Sequence, residues 1–469
     1  MPSVRYSDTP SPGLWFLPAI VANVLPLAGV VWFSWEPETL VTIYAPELLT
    51  MLSLAGVKAL FAGKPPASDR EKGIFDVSES DLTEKRGNVV LHDWLPPIYP
   101  RNVPFAAAVI SGGVWLGFFI FAPLADVVPV LDILSRREVL LSVAMLAVGQ
   151  VAETGLAYFR SGRYAAVSPY AVVEIPARQG LFLSVFLFVV TVGGATPVLV
   201  VFVAVKVLFE WSGVRVERGN GGRLTGWLSG PDSDTATASL EIPEGEPSAI
   251  VDVDRRSVVA SALWRVVSET GPFYLVLAIF VWLGVPAFLG GTEASLSLWI
   301  ASGLFGLALL GLMLAGDIIE VVFADAWMTY YRIGDQLVAH DRLTNAPQWV
   351  AAIGELRDAT VIETRLADRY IGTRTLIMTT GWGDDETSRT LGPVNDPQTF
   401  VETFDLPLHS TDLSPLDRRF VAAAVGSAAL IAGGGIVVVL SSSVSWVILP
   451  MAVPLLGVVP IGFWKLAHT

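Results

Sequence analysis

The sequence predicts a polytopic α-helical membrane protein of about ten spans, with a β domain inserted among its later helices. Three observations carry this. Hydrophobic residues make up 53% of the 469-residue chain and charged residues only 16%, far from the balance of a soluble domain. The charges are bunched into a few segments with long apolar runs between them, as lipid requires of backbones whose hydrogen bonds close within each segment. One polar segment differs from the rest, because its apolar and polar residues alternate with the period of strands.

Taken in order, runs suited to spanning are 14–33, 40–60, 103–123, 139–159, 273–289, 296–314, 420–440 and 444–464. The first run follows only Arg5 and reads as a retained span, not a cleaved signal. Residues 178–211 are too long for one span of about 20 residues and short for two. Gly193-Gly194-Ala195-Thr196-Pro197 at their centre is a turn signal, with Pro197 suited to a helix's first turn. Two short helices, 178–194 and 197–213, then put nearly every Lys and Arg, Arg136 and Arg137 excepted, on or near one side of the membrane. With one crossing that bias largely disappears, so the positive-inside rule favours two over a single kinked helix.

The resulting organisation is a six-span membrane domain over 14–218, with a polar cytoplasmic loop at 63–102. An acidic, mobile linker follows at 219–270, rich in Ser, Thr, Asp, Glu and Pro. Two transmembrane helices occupy 271–323, the β domain 326–406, and a C-terminal transmembrane hairpin 419–465. The N-terminus, β domain and C-terminus share the cytoplasmic side of the cell membrane.

Composition narrows the chemistry. Cysteine is absent, which excludes disulfides, thiolate metal sites and thiol nucleophiles. The net charge is −14 and lysine occurs only at 58, 64, 72, 85, 206 and 465. An acidic, lysine-poor surface fits the salt-loaded cytoplasm of a halophilic archaeon, where ions screen carboxylate repulsion. No basic stripe offers itself to nucleic acid. The histidines are His92, His340, His409 and His468, all outside the spans and none paired for a zinc site. No cofactor is expected.

Within the β domain, 329–342 is expected to form two strands over a Gly334-Asp335 turn, followed by strands around 349–353, 359–365 and 374–380. A last strand follows, with a turn at 395–397 and a helix to Phe404. Tyr331-Arg332-Ile333, Asp341-Arg342, Leu356-Arg357-Asp358, Gly372-Thr373 and Asp396-Pro397-Gln398-Thr399-Phe400 resemble the recurring steps of the bacterial-type PH-like domains, over about 326–404. That resemblance implies an interaction module. Acidic residues outnumber arginines here and lysine is absent, so anionic headgroups are a poor ligand. Protein–protein contact or intramolecular support of the helices is expected instead, with Trp382, Trp349 or Tyr370 as the contact for a protein partner.

In the first half, Ala22-Asn23 through Val30, Tyr44-Ala45-Pro46-Glu47, Pro169-Tyr170, and Lys206 with Glu210 resemble a polytopic family common in halophilic archaea, domain of unknown function 6498. The resemblance covers about 14–218 and implies no activity. Members often carry His near the position of Gln150, and in the helix after the Pro-Tyr step. This chain has neither.

Ionisable residues at membrane depth complete the candidate sites: Glu47, Glu153, Lys206, Glu210, Asp317 and Glu320. A charge in hydrocarbon costs a few kcal/mol or more and needs a partner or water. Glu47 and Glu153, nearest mid-span, read either as a polar cavity or as glue between helices. The others lie near helix ends. The functional expectation is a non-enzymatic scaffold or assembly module. A transporter or channel using the mid-span carboxylates is the alternative, and an intramembrane enzyme comes third.

Overall fold

The computed structural model describes residues 37–66, 80, 82–127, 130–193, 205, 208–209, 212, 240, 242–266, 270–289, 295–363, 366–381, 386–408, 410–415, 417–440 and 462–463. The chain divides into two compact units. One holds Met1–Thr83 and Asn88–Thr237, the other Glu84–Gly87 and Ala238–Thr469.

The first unit is helical: α1 (Pro37–Leu60), α2 (Val103–Val127), α3 (Val130–Leu134), α4 (Arg137–Glu153) and α5 (Pro169–Gly193). Helix α4 runs on into a wider π-helical segment, Thr154–Arg160. Helix α1 is central, and α2, α4 and α5 all pack on it. Small residues let them approach closely. A Cβ at Gly56 would stand 2.7 Å from Ile110 of α2, and one at Gly117 2.9 Å from Leu49 of α1. Leu52 fills the space beside both Gly113 and Gly180. Phe105 and Tyr170 then lock α2 to α5, edge to face at 4.7 Å.

The loop after α1 is stitched to its surroundings. Asn102 Nδ2 donates to the carbonyl of Ala62 at 2.8 Å, and Arg101 donates to that of Gly63 at 2.5 Å. The helix's own last-turn carbonyls are met by Tyr99 N, which donates to Leu60 O at 3.0 Å, and by the Tyr158 hydroxyl, which donates to Lys58 O at 2.8 Å. Helix α5 begins at Pro169, well before the expected start at 178, with Ser168 Oγ accepting from Ala171 N at 3.3 Å. Within the helix, Arg178 Nε donates to Glu174 Oε1 one turn back at 2.7 Å, so the two charges neutralise each other. The expected hairpin tip at 193–197 begins at the last residue of α5, and the rest of it lies outside the described residues.

The second unit joins helices to two antiparallel sheets. Strand β1 (Ala249–Asp252) is followed by α6 (Arg255–Arg265), α7 (Gly271–Leu289) and α8 (Leu296–Asp325). Then come β2 (Met328–Ile333), β3 (Gln336–Asp341), β4 (Ala346–Ala352), β5 (Leu356–Val361), α9 (Leu366–Ile371), β6 (Arg374–Thr380), β7 (Thr387–Val394), α10 (Pro397–Thr403) and α11 (Arg418–Leu440). The sheets are β1-β2-β3-β4 and β5-β6-β7. Strand β1 pairs with β2 through Ala249↔Arg332 to Asp252↔Thr329, so α6, α7 and α8 are inserted between neighbouring strands. The segment 219–270 therefore departs from a mobile linker: 249–252 is a strand and 255–265 a helix. Asp254 caps that helix, accepting from Ser257 Oγ at 2.7 Å and Arg256 N at 3.3 Å.

The core of the sheets is Tyr330, Leu337, Ala339, Leu376, Met378, Leu391, Phe400 and Phe404, all essentially buried. Helix α10 closes it. Asp396 caps that helix through Thr399 N (3.1 Å), Pro397 supplies a first-turn residue, and Phe400 meets Tyr330 edge on at 5.4 Å. Gly392 sits at φ +102°, and a Cβ there would strike Arg374 O at 2.8 Å.

Three helical stretches are long and apolar enough to cross a membrane: Thr42–Leu60, Arg137–Arg160 and Leu298–Asp325; Phe273–Pro286 is a shorter apolar helix. The count of about ten spans is not supported among the described residues. The runs 14–33, 197–213 and 444–464 fall wholly or largely outside them.

Candidate functional site

Among the described residues, buried charged side chains include Arg101, Glu174 and Asp368, and two further places set a buried charge against another element of the fold. In the first unit, Glu47 lies mid-way along α1, beside Pro46, which cannot donate the usual backbone hydrogen bond. Glu47 is only 7% exposed among Ala45, Leu48 and Leu52. Gln150 Nε2 of α4 donates to its Oε1 at 3.4 Å, and the amide oxygen Oε1 of Gln150 is itself buried without a hydrogen-bond partner. Glu153 is exposed at the end of α4. The residue brought to Glu47 is thus Gln150, one helical turn before Glu153.

In the second unit a buried cation, Lys85, meets a buried carboxylate, Asp341. Four residues, Glu84–Gly87, form a strap on the turn between β3 and β4 and on the end of α8. Gln348 grips the strap's backbone, its Oε1 accepting from Arg86 N at 2.8 Å and its Nε2 donating to Arg86 O at 3.1 Å. Gly87, at φ +87°, fits against Thr344 and Ala346, where a Cβ would come within 2.7 Å.

The Lys85 side chain is 4% exposed. Its ammonium donates to the carbonyls of Ala324, at 2.8 Å, and Phe323. It also pairs as an ion with Asp341 Oδ2 at 2.5 Å, an oxygen that has no hydrogen-bond partner of its own. The two carbonyls belong to the last turn of α8, where the helix dipole favours a cation. Asp341, fully buried, also accepts from Leu343 N at 2.7 Å and Thr344 N at 2.8 Å. One ammonium therefore ties an apolar helix to a β sheet. The neighbouring imidazole of His340 is held below its ordinary pKa, chiefly by burial and against the raising effect of Asp341.

The remaining expected residues separate. Asp317 accepts from the Tyr274 hydroxyl across α7 and α8 at 3.2 Å, and its Oδ2 is buried without a hydrogen-bond partner. Glu320 is half-buried one turn further on. Lys206, Glu210 and Trp382 lie outside the described residues. Trp349 is 8% exposed, its ring 6.2 Å from Tyr330 and covered by the Arg389 guanidinium at 5.5 Å. It belongs to the core, not to a docking surface, because its register in β4 points it inward. Tyr370 is 77% exposed. Among the described residues, no three His, Asp or Glu side chains gather as a metal site.

Sequence reasoning missed Lys85, Asp341 and Gln150 as partners. Asp341-Arg342 did stand out as a motif. Its role is to close the turn and hold Lys85, while Arg342 reaches Asp252 of β1 at 2.9 Å.

A helical unit and a β unit, with three helices able to cross a membrane, are compatible with a membrane protein. Residues 5–223 match the model of a family of unknown function (DUF6498). No curated protein and no solved structure matches the chain.

Proposed function

We propose that this is a multi-pass membrane protein of about ten spans whose PH-like, cytoplasmic β unit serves as a platform for a partner protein. The single observation that carries the reading is the Lys85 joint. With α8 ending at Asp325 and β2 starting at Met328, the sheet is held at the end of an apolar helix by both chain and side chain. A platform needs such rigidity, and a flexibly tethered module does not. The contact proposed for the partner is Trp382, which stands in sequence between β6 and β7.

The test uses the full-length protein purified from its own membranes. A protein should co-purify at fixed stoichiometry and be lost with Trp382→Ala. An unchanged preparation with Trp382→Ala, or no co-purifying protein, defeats the platform reading. Topology is tested separately, since the chain has no cysteine of its own: Asp384→Cys should resist an impermeant maleimide in intact cells.

A transporter or channel is the second reading, favoured by the orphaned Gln150 amide oxygen beside Glu47. It requires substrate or ion flux in proteoliposomes that Glu47→Gln abolishes.

A further inference from the structure

Helix α6 is amphipathic the wrong way round for water. The face it packs inward carries Ser257, Val258, Ser261 and Ala262, all buried. Its outer face carries Val259, Leu263 and Trp264, each at least 40% exposed. A soluble surface helix shows the opposite arrangement, with its larger apolar side chains toward the core. The outer face is extended by α9, where Tyr370 is 77% and Ile371 41% exposed, and the Trp264 and Tyr370 rings lie 5.7 Å apart.

The position of this face says what covers it. Helix α7 begins at Gly271, six residues after α6 ends at Arg265, which is about 9 Å if helical and at most about 20 Å if extended. A side chain at Gly271 would meet Leu314, so the start of α7 is level with Leu314 of α8. Helix α8 continues from there to Asp325 and packs against α6. Exposed apolar side chains resume at once on α7, with Phe273 63% and Leu275 49% exposed. Helix α6 thus lies at the open end of the α7–α8 hairpin, a few residues along the chain from the exposed apolar side chains that begin α7.

We propose that the outer face of α6, with Tyr370 and Ile371 of α9, is a membrane-interface surface that rests in the headgroup layer of the protein's own bilayer. Trp and Tyr favour that layer because their rings are apolar and their N–H and O–H groups stay wet. Leu263 and Val259 supply the apolar area that an interfacial helix inserts. Exposed Arg256, at the start of α6, is the cation such a helix directs at phosphate. Binding here comes from aromatic and apolar area, so it does not require the basic surface that the β unit lacks. The inference rests on the reading that α7 and α8 span the membrane.

The test places single nitroxide labels on the full-length, cysteine-free chain in nanodiscs containing phosphatidylglycerol. Sites are Leu263→Cys and Tyr370→Cys, with Leu304→Cys, on the exposed side of α8, as the lipid reference and Asp335→Cys as the aqueous one. Collision with oxygen, relative to a water-soluble nickel chelate, should be several-fold higher at 263 and 370 than at 335, and lower than at 304. Nickel accessibility at 263 and 370 equal to that at 335, with 304 still in lipid, overturns the interface surface alone. Low accessibility to both reagents at 263 and 370 means protein covers the face and also overturns it. An aqueous signal at 304 overturns the membrane reading and this inference together.

Discussion

Glu47 and Lys85 are both buried charges, one in each unit, and they are held in opposite ways. Lys85 has a full set of charged and dipolar partners: a carboxylate and two carbonyls at a helix end. Glu47 meets a neutral amide at 3.4 Å, whose own oxygen is left without a hydrogen bond. The Lys85 ammonium joins two elements, the last turn of α8 and the turn after β3, so its removal leaves a buried carboxylate behind. The contact of Glu47 with Gln150 joins α1 to α4 through a long hydrogen bond, beside an amide oxygen with capacity for a further polar contact.

The largest expected effect tests the joint. Lys85→Ala strands the Asp341 carboxylate and should cost about 3–5 kcal/mol, the usual penalty for breaking a buried pair. Chemical unfolding of the full-length protein in micelles measures it. Lys85→Met with Asp341→Asn should recover much of that loss, because the stranded charge is gone while the amide oxygen still accepts from Leu343 N and Thr344 N. A loss under about 1 kcal/mol for Lys85→Ala would place Lys85 with ordinary surface ion pairs.

Helix packing gives the next effect. Gly306→Ala would put a Cβ 2.8 Å from the backbone oxygen of Ala278, and should cost about 1–3 kcal/mol through overpacking. Gly149→Ala, on α4 with nothing within 4 Å, should instead leave stability equal or raise it by up to about 1 kcal/mol. The pair of melting curves separates close approach from helix propensity.

Glu47→Leu removes the acceptor of the Gln150 amide and should cost about 1–3 kcal/mol. Glu47→Gln keeps an acceptor and should cost less than half as much. Equal losses in the two variants would show that the negative charge itself is needed, and would bring Glu47 closer to Lys85 in kind.

The smallest effect is one of pH. Because burial lowers the pKa of His340 from its ordinary 6.5, the unfolded chain binds this proton more readily than the folded one. Stability should therefore fall as the pH drops through and below that value. Comparing unfolding midpoints at neutral and mildly acidic pH measures the loss, and His340→Gln should flatten the difference. Asp254 and Asp396 act lower on the scale. Hydrogen bonds, foremost from Ser257 and Thr399 respectively, hold both below the usual carboxylate range, so their contribution is present above that range and lost in stronger acid.

Much of the β unit was legible because its signals are local. Asp396-Pro397 and Phe400 are a cap, a first-turn residue and a core ring within five positions, and a Gly334-Asp335 turn joins β2 to β3 as the alternation requires. Trp349 was misread because β4 carries apolar residues on both faces. Its parity is set only by pairing with β3, where the register shifts between Ala339 and His340. Strand β1 was invisible for a different reason. Four residues in a polar stretch have no pattern of their own, and β2, their partner, begins beyond three helices. Gln150 escaped notice because an uncharged amide in an apolar run carries no signal until a carboxylate from another helix is set against it.

The sequence by itself determined the long apolar helices and most strands of the β unit, since periodicity and composition act over a few residues at a time. The tertiary structure alone decided which polar groups meet. Lys85 and Asp341 are separated by more than half of the chain, and no local rule pairs them. The same holds for the outer face of α6, whose Leu263 and Trp264 look like core residues until Ser257 and Ser261 are seen to hold the inner face. Burial is a property of neighbours, and neighbours distant in sequence are supplied only by the fold.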